Sequence, residues 1–159
     1  MACRRYAFAA MAVILCTINP HGDKAMAAEG LISVRSNFGP KQTVERLEAA
    51  VSERGLTVFA RIDHAAGAEQ AGMPLRPTEL LIFGSPKGGT PLMQSAQTAG
   101  IDLPLKALVW QDDGGTTWLS YNDPRWIALR HGAGPDADAA VSGMFILLQS
   151  VASAAATLK

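Results

Sequence analysis

Residues 105–121, which read LKALVWQDDGGTTWLSY, decide the fold of this chain. The tract 112–115 contains two aspartates and two glycines, which are residue types that form tight turns. The residues on either side are rich in aliphatic and aromatic side chains, as β-strands are. The pattern therefore predicts two antiparallel strands, 105–111 and 116–121, joined by a hairpin.

The length of the hairpin turn decides which side chains share a face of the sheet, because a one-residue slip reverses every side chain. We expect a two-residue turn, the commonest kind. Such a turn puts Val109 and Trp118 on one face. The other face then carries Leu108, Trp110, Leu119 and Tyr121. A three-residue loop would reverse this matching.

Three earlier segments also have the composition of strands. Residues 78–84 are apolar on both sides, which is typical of a strand with a neighbour at each edge. Residues 31–38 form a first strand, and residues 56–63 alternate between apolar and more polar positions. The apolar side of this second strand contains Leu56, Val58, Ala60 and Ile62.

Helical spacing of apolar residues predicts a first helix over residues 40–54, closed by Gly55. Thr90 and Pro91 are the residue types favoured at an N-cap and at the first helical position. A second helix is therefore expected to start there and to stop at Gly100.

Three further helical segments are expected in the connections and at the end of the chain. Residues 68–71 form a short helical turn, and residues 125–130 form a short helix. Asp136 or Asp138 caps a last helix over residues 139–158. The middle of this helix is apolar nearly all round, so we expect it to be buried. Strands and helices in this order predict one α+β domain.

The uncovered side of such a sheet is a candidate interaction surface. If the helices pack on one face only, Phe59 and Trp118 leave apolar surface on the other. A patch of this kind marks a partner or ligand surface, unless a loop or the C-terminal helix covers it.

The first 28 residues have the order of a secretory signal peptide. Arg4 and Arg5 precede an apolar run over residues 6–18, and Ala25-Met26-Ala27 is a small-x-small cleavage pattern. The run is shorter than the roughly 20 residues that span a membrane. We therefore expect a periplasmic or secreted protein whose domain covers residues 29–159, with no membrane attachment after cleavage.

Cleavage near Ala27 or Ala28 would remove both cysteines, Cys3 and Cys16, and with them thiol nucleophiles, disulfides and thiolate metal sites. The 14 basic residues balance the 14 acidic residues, so the charge indicates no nucleic-acid partner.

Four segments, taken in order, resemble the family called domain of unknown function 302. They are Arg61-Ile62-Asp63-His64-Ala65-Ala66, Leu81 to Met93 (LIFGSPKGGTPLM), Leu103-Pro104-Leu105-Lys106 and Ser120-Tyr121-Asn122-Asp123-Pro124. The resemblance covers residues 43–131. It implies a β-α-β-β-β-β-α type of antiparallel sheet with helices packed on it, and a homodimer. It brings no catalytic residues to carry over, and the long C-terminal helix is not anchored to it.

Polar residues at one end of the sheet are the first candidate site. His64 ends the second strand, and Glu79, at the start of the third, can approach it if the two strands pair. His64, Glu79 and Tyr121 would then line a polar pocket, and the two titratable groups could act as acid and base. The alternative is that His64 only serves the backbone at a strand end.

The segment Lys87-Gly88-Gly89-Thr90 is the second candidate site. A glycine-rich turn with a lysine before a helix can hold a phosphate or carboxylate, although its spacing is not that of a Walker motif. The alternative is a tight turn followed by a Thr-Pro helix cap.

The sequence favours a binding or interaction module over an enzyme. No spacing matches a recognised metal motif, and no cofactor is indicated. Ser85 and Ser120 lack the setting of a nucleophilic serine. We expect a homodimer that holds a small molecule or a protein partner near His64, Glu79, the 87–90 segment and Tyr121. A small hydrolase, lyase or isomerase using His64 and Glu79 is the alternative, and a dimeric structural or stress-related protein is a third hypothesis.

Overall fold

The fold is described from a computed structural model, which covers residues 28–158. The predicted signal peptide, except for its last residue, and both cysteines lie outside the described residues. The cleavage, the compartment and the loss of both thiols therefore stay predictions.

A single antiparallel sheet of five strands forms the centre of the domain. The strands are β1 (Leu31–Arg35), β2 (Thr57–Asp63), β3 (Thr78–Gly84), β4 (Leu105–Gln111) and β5 (Thr117–Asn122). Their order across the sheet is β1-β5-β4-β3-β2. β3 thus has a neighbour on both edges, as its apolar composition predicts.

Five α-helices connect and cover the strands. They are α1 (Pro40–Ser52), α2 (His64–Gln70), α3 (Pro86–Ser95), α4 (Pro124–His131) and α5 (Asp138–Ala156). A 3₁₀ turn, Gln97–Ile101, follows α3, and a second, Pro135–Ala137, precedes α5. The predicted α+β class, with helices packed on an antiparallel sheet and a C-terminal helix, is confirmed.

The core lies between the sheet and the pair formed by α1 and α5. Leu47 and Val51 of α1 and Leu148 of α5 are fully buried against Phe83 and Leu119 of the sheet. Full burial of one such side chain contributes about 1.5–3 kcal/mol to folding. The two helices are also joined at the end of α5, where Arg46 of α1 donates hydrogen bonds to the backbone oxygens of Ala154 (2.7 Å), Ala155 (3.0 Å) and Thr157 (3.1 Å).

The hairpin loop contains three residues, so the predicted two-residue turn is wrong. The backbone N–H of Asp112 donates to the carbonyl of Thr116 at 3.0 Å, and Gly115 has φ +79°, which only glycine adopts freely. Val109 therefore pairs with Leu119, and Trp110 pairs with Trp118.

The three-residue loop reverses which side chains of β4 and β5 share a face, compared with the predicted two-residue turn, as expected for that length. Leu119 and Tyr121 point into the core with Val109, whereas Leu108, Trp110 and Trp118 lie on the side of the sheet away from α1 and α5. We call this side the open face. Its apolar members are Ile62, Leu80, Ile82, Leu108, Trp110 and Trp118.

A β-bulge at Phe59 breaks the predicted alternation of β2. Val58 pairs with Phe83 on the core side, but the next pair along the strand joins Ala60 to Ile82 on the open face. A bulge adds one residue to one strand, so every later side chain changes face. Val58 and Ile62 therefore point to opposite sides of the sheet.

α5 is only partly buried along its apolar middle. Met144 and Leu148 are buried, but Ile146 is 65% exposed, so the expected burial all round is wrong. Among the described residues, Pro135–Ala156 is the one helical stretch, 22 residues long, whose length and composition would allow it to cross a membrane. Its buried side belongs to the domain core.

The Asp112 carboxylate should stabilise the hairpin in a pH-dependent way. The hydrogen bond from Trp118 Nε1 (2.8 Å), followed by that from the Thr116 N–H (2.8 Å), lowers the pKa of Asp112. A carboxyl with a depressed folded-state pKa contributes stability above its unfolded-state pKa, and this contribution is lost as pH falls through the folded-state value.

We therefore expect Asp112→Ala to lower the free energy of unfolding at pH 7, and this difference to shrink as the pH falls below about 4, the usual pKa of an aspartate. Urea denaturation across pH 2.5–7 measures both effects. Asp113→Ala, at an exposed position of the same loop, is the control and should change little. Equal destabilisation by the two substitutions would contradict the role of Asp112.

Candidate functional site

A cavity of about 290 Å³ opens where α3 meets the ends of β2 and β3 and the middle of α5. We call it the apolar cavity. Its side-chain walls come from four separate parts of the chain, which the fold brings together. The large apolar members are Leu56, Phe59, Met93, Leu103, Leu105, Met144 and Leu147.

The lining of the apolar cavity contains no charged side chain. Ser85 and Thr90 supply the only side-chain hydroxyls among the residues that line it. An ionised ligand placed there would lose its hydration without gaining a counter-ion, which is costly. The site is therefore suited to neutral, apolar molecules.

Glycines keep two walls of the apolar cavity open. A Cβ atom at Gly89 would lie 3.3 Å from Leu103 Cδ1, and one at Gly100 would lie 3.4 Å from Met93 Sδ. The first distance is tighter than ordinary van der Waals contact, and the second is at its lower limit. Larger side chains at these positions would therefore press on Leu103 and Met93 and narrow the apolar cavity.

α3 begins five residues earlier than the sequence pattern predicts. Ser85 occupies the N-cap position and Pro86 the first turn, so Thr90 and Pro91 fall inside the helix. Ser85-Pro86 carries the same capping signature as Thr90-Pro91. The earlier pair starts the helix, and the absent N–H of Pro91 is accommodated within it.

This earlier start changes the setting of the 87–90 segment. The N–H groups of Gly88 and Gly89 donate to the Ser85 carbonyl at 3.1 and 3.2 Å, so they are not free to hold an anion. Gly88, Gly89 and Thr90 line the apolar cavity, whereas Lys87 is exposed and does not line it. The surroundings of this segment are thus those of an apolar site.

His64 lies one residue beyond the residue of β2 that pairs with Glu79 of β3, but the two side chains have different neighbours. Asp63 pairs with Glu79 across the two strands, and His64, the next residue, begins α2 in an exposed position. The Glu79 carboxylate is bound by Arg61, and this contact is the main cause of the raised pKa of Arg61. Within residues 28–158, no hydrogen bond joins the His64 and Glu79 side chains, so the geometry does not supply the contact that an acid–base pair uses.

Tyr121 lies on the core side of β5, away from the polar end of β2 and β3. It is buried, and it pairs with Ala107 and Ile32 across the sheet. Desolvation, followed by the nearby Asp123 charge, raises the pKa of its hydroxyl. The structure therefore does not bring Tyr121 together with His64 and Glu79 in one pocket.

Several residues of the apolar cavity carry no local signal in the sequence. Met144 and Leu147 reach it from the far end of the chain, and Phe59 is turned towards it at the β-bulge. Gly89 and Gly100 lie beside Met93, and small residues at these two positions leave room for a cavity.

Residues 28–158 hold no group of three or more His, Asp, Glu or Cys side chains arranged to bind a metal ion. Among the described residues, Asp123 is the other aspartate, besides Asp112, whose pKa is lowered. Its carboxylate accepts hydrogen bonds from the Arg125 side chain and caps α4.

An antiparallel sheet with two helices packed on one face and an apolar cavity at one end defines a class of small α+β domains. A sequence profile of the family described as "Domain of unknown function DUF302" matches residues 32–151. The chain belongs to the DUF302 family.

A solved structure has the same fold. The crystal structure of an uncharacterized conserved DUF302 protein from Bacillus stearothermophilus superposes with a TM-score of 0.72 at 20% identity, over 80% of this chain and 99% of that one. At this identity the likeness shows the fold alone.

Curated relatives from Brucella are more similar in sequence but much longer. The chain is 49% identical over 115 residues to proteins named "Fluoride-specific ion channel FluC 1" from Brucella suis biovar 1 and from Brucella abortus biovar 1. The match covers 72% of this chain but only 45% and 43% of those proteins. The matched segment thus spans less than half the length of these relatives.

Proposed function

We propose that this protein is a homodimeric binding module that takes up a small, uncharged, apolar molecule in the apolar cavity. The observation that carries the proposal is a cavity of about 290 Å³ whose lining includes no charged side chain. This volume lies near the lower end of the range of about 300–1,000 Å³ found for small-molecule sites. A small aromatic molecule or a short acyl chain fits a site of this size.

The walls of the apolar cavity favour a range of related ligands over one rigid shape. Met93 and Met144 are unbranched and polarisable, so they can repack around different apolar groups. Phe59 is 54% exposed although it lines the cavity, which puts its ring at the entrance. The Ser85 and Thr90 hydroxyls can each form one hydrogen bond with a polar atom of the ligand.

The open face supports the proposed dimer. Leu80, Ile82, Leu108 and Trp110 remain half-buried in the single chain. Pairing two open faces about a two-fold axis would remove this apolar surface from water, and a two-fold interface requires a surface that complements itself. The family resemblance of the sequence implies a homodimer for independent reasons.

The two indole N–H groups of the open face are already satisfied within one chain. Trp110 Nε1 donates to Ser120 Oγ at 2.8 Å, and Trp118 Nε1 donates to Asp112 Oδ2 at 2.8 Å. Ser120 Oγ is also hydrogen-bonded to Ser33 Oγ at 2.7 Å. These indole groups therefore need no hydrogen bond from a partner, and a second copy of the same face supplies an apolar surface.

A second candidate role follows from the Brucella relatives, which are named as fluoride channels. We propose that the chain contributes to fluoride tolerance through association with a channel of that kind. The support is the 49% identity to a segment of those proteins.

The ligand proposal predicts that the purified protein binds N-phenyl-1-naphthylamine, a neutral apolar fluorophore, with increased emission. Gly89→Leu should weaken this binding about tenfold or more, because the new side chain occupies the apolar cavity and each lost buried methylene costs about 0.8 kcal/mol of binding. Fluorescence titration measures the affinity, and the thermal midpoint of the unmodified protein should rise with probe concentration.

Gly143→Leu is the matched control for the ligand proposal. Gly143 also lies in a helix, is exposed on α5, and has nothing within 4 Å of an added Cβ. This variant should bind the probe like the unmodified protein. Equal affinities of the Gly89 and Gly143 variants, with both folded by circular dichroism, would overturn the proposal.

The dimer proposal predicts that Leu108→Lys converts a dimer into a monomer, because a charge would be buried without a partner. Sedimentation equilibrium at micromolar concentrations measures the mass directly. Ile146→Lys replaces an exposed apolar residue on α5 and should leave the dimer intact. A monomeric unmodified protein at these concentrations would refute the proposed interface.

The fluoride proposal predicts that deletion of the gene for this chain lowers the sodium fluoride concentration that stops growth of its source organism. Restoring the gene should restore tolerance, and sodium chloride at the same concentrations is the control. Unchanged fluoride tolerance of the deletion strain would exclude this role.

A further inference from the structure

A three-residue polar cluster lies outside the apolar cavity, where the 3₁₀ turn after α3 meets the end of α4. Thr98 lies in that turn, Asp102 directly follows it, and His131 is the last residue of α4. The His131 ring joins the other two side chains. Its Nε2 atom lies 2.7 Å from Asp102 Oδ2, and its Nδ1 atom lies 2.9 Å from Thr98 Oγ1.

The chemistry of the three groups fixes the direction of both hydrogen bonds when the imidazole is neutral. An ionised carboxylate can only accept, so Nε2 of His131 carries the proton and donates to Asp102. Nδ1 is then without a proton and must accept, so the Thr98 hydroxyl donates to it. The Thr98 hydroxyl proton therefore points at Nδ1 of His131, and the Asp102 carboxylate orients this imidazole. This is the arrangement that activates a hydroxyl nucleophile.

The three side chains of the cluster differ in their exposure to water. The side chains of His131 and Asp102 are 9% and 13% exposed, whereas Thr98 is exposed. The base and its orienting carboxylate are therefore shielded, and the hydroxyl can be reached by a substrate in solution.

Two basic side chains hold Asp102 in place. Arg130 Nη1 lies 3.3 Å from Asp102 Oδ2, and Lys106 Nζ donates to the Asp102 backbone oxygen at 2.9 Å. Arg130 thus holds the carboxylate and Lys106 holds the backbone of the same residue, which keeps the imidazole in one orientation, as a general base requires.

We propose that Thr98, His131 and Asp102 form an acyl-transfer site that acts on small carboxylic esters. Thr98 Oγ1 attacks the ester carbonyl carbon, and its proton passes to Nδ1 of His131. The bond from the carbonyl carbon to the alkoxy oxygen breaks, and that oxygen takes the proton to leave as an alcohol. Water then attacks the acyl-threonine, with His131 accepting one proton of the water, and releases the carboxylic acid while the Thr98 hydroxyl is restored.

Asp102 is a positioning residue in this scheme, because it acts only through His131. The site is separate from the apolar cavity, whose lining includes none of the three residues. The two proposals rest on different residues, so failure of either one leaves the other standing.

The test uses p-nitrophenyl acetate with the folded, full chain. We expect release of p-nitrophenolate together with an acetyl group mapped by mass spectrometry to Thr98. Thr98→Val should abolish acetylation at this position and lower the release rate about 100-fold or more, as expected for loss of a base-activated nucleophile. Asp102→Asn should lower the rate to a similar extent.

Thr98→Ser is the conservative variant and should retain both the rate and the acetyl group at position 98, which a merely structural role would not predict. Thr57→Val, at an exposed threonine on β2, is the control and should behave like the unmodified protein. Circular dichroism melting checks that each variant is folded at the assay temperature. Acetylation confined to lysines or the amino terminus, or an unchanged rate in folded Thr98→Val or Asp102→Asn protein, would overturn the proposal.

Discussion

The pairing of β4 with β5 through a three-residue loop is the constraint on which the rest of the domain depends. It sets which side chains of two adjacent strands meet α1 and α5 and which remain on the open face. Gly115 makes this pairing possible through its positive φ, and Asp112 holds it by accepting from Thr116 and Trp118. One glycine and one carboxylate thus decide where Val109 and Leu119 point, and therefore what the core contains.

The two candidate sites show how the same fold creates two different environments a short distance apart in sequence. The segment from Met93 to Leu103 contributes to the apolar cavity at both of its ends. Between them, Thr98 and Asp102 turn towards His131. A short 3₁₀ turn separates the apolar cavity from the polar cluster, because its tight winding presents successive residues in different directions. Apolar binding and acyl transfer can therefore be tested independently in one protein.

The sequence predicts most of the fold but little of the sites, for identifiable physical reasons. β3 and β4 have the predicted bounds because apolar strands bounded by turn residues carry a strong local signal. The predicted side-chain faces of the hairpin and of β2 were wrong. One extra residue in a loop or at a bulge moves every later side chain to the opposite face of the sheet. The start of α3 was wrong because two Ser/Thr-Pro pairs compete and the sequence does not rank them.

The sites depend on contacts between residues far apart in the chain. Gly88, Gly89 and Thr90 were identified from the sequence and do line a cavity, but its apolar character comes from Phe59, Met144 and Leu147. No local pattern in the sequence singles out His131. Its partners, Thr98 and Asp102, lie 33 and 29 residues away, a separation at which no local pattern exists.

The anchoring of α5 by Arg46 has a consequence for the order of events during biosynthesis. The core cannot close until α5 lies on α1, and α5 follows every other described element along the chain. A ribosome releasing this polypeptide would therefore expose the core side of the sheet to water until α5 emerges.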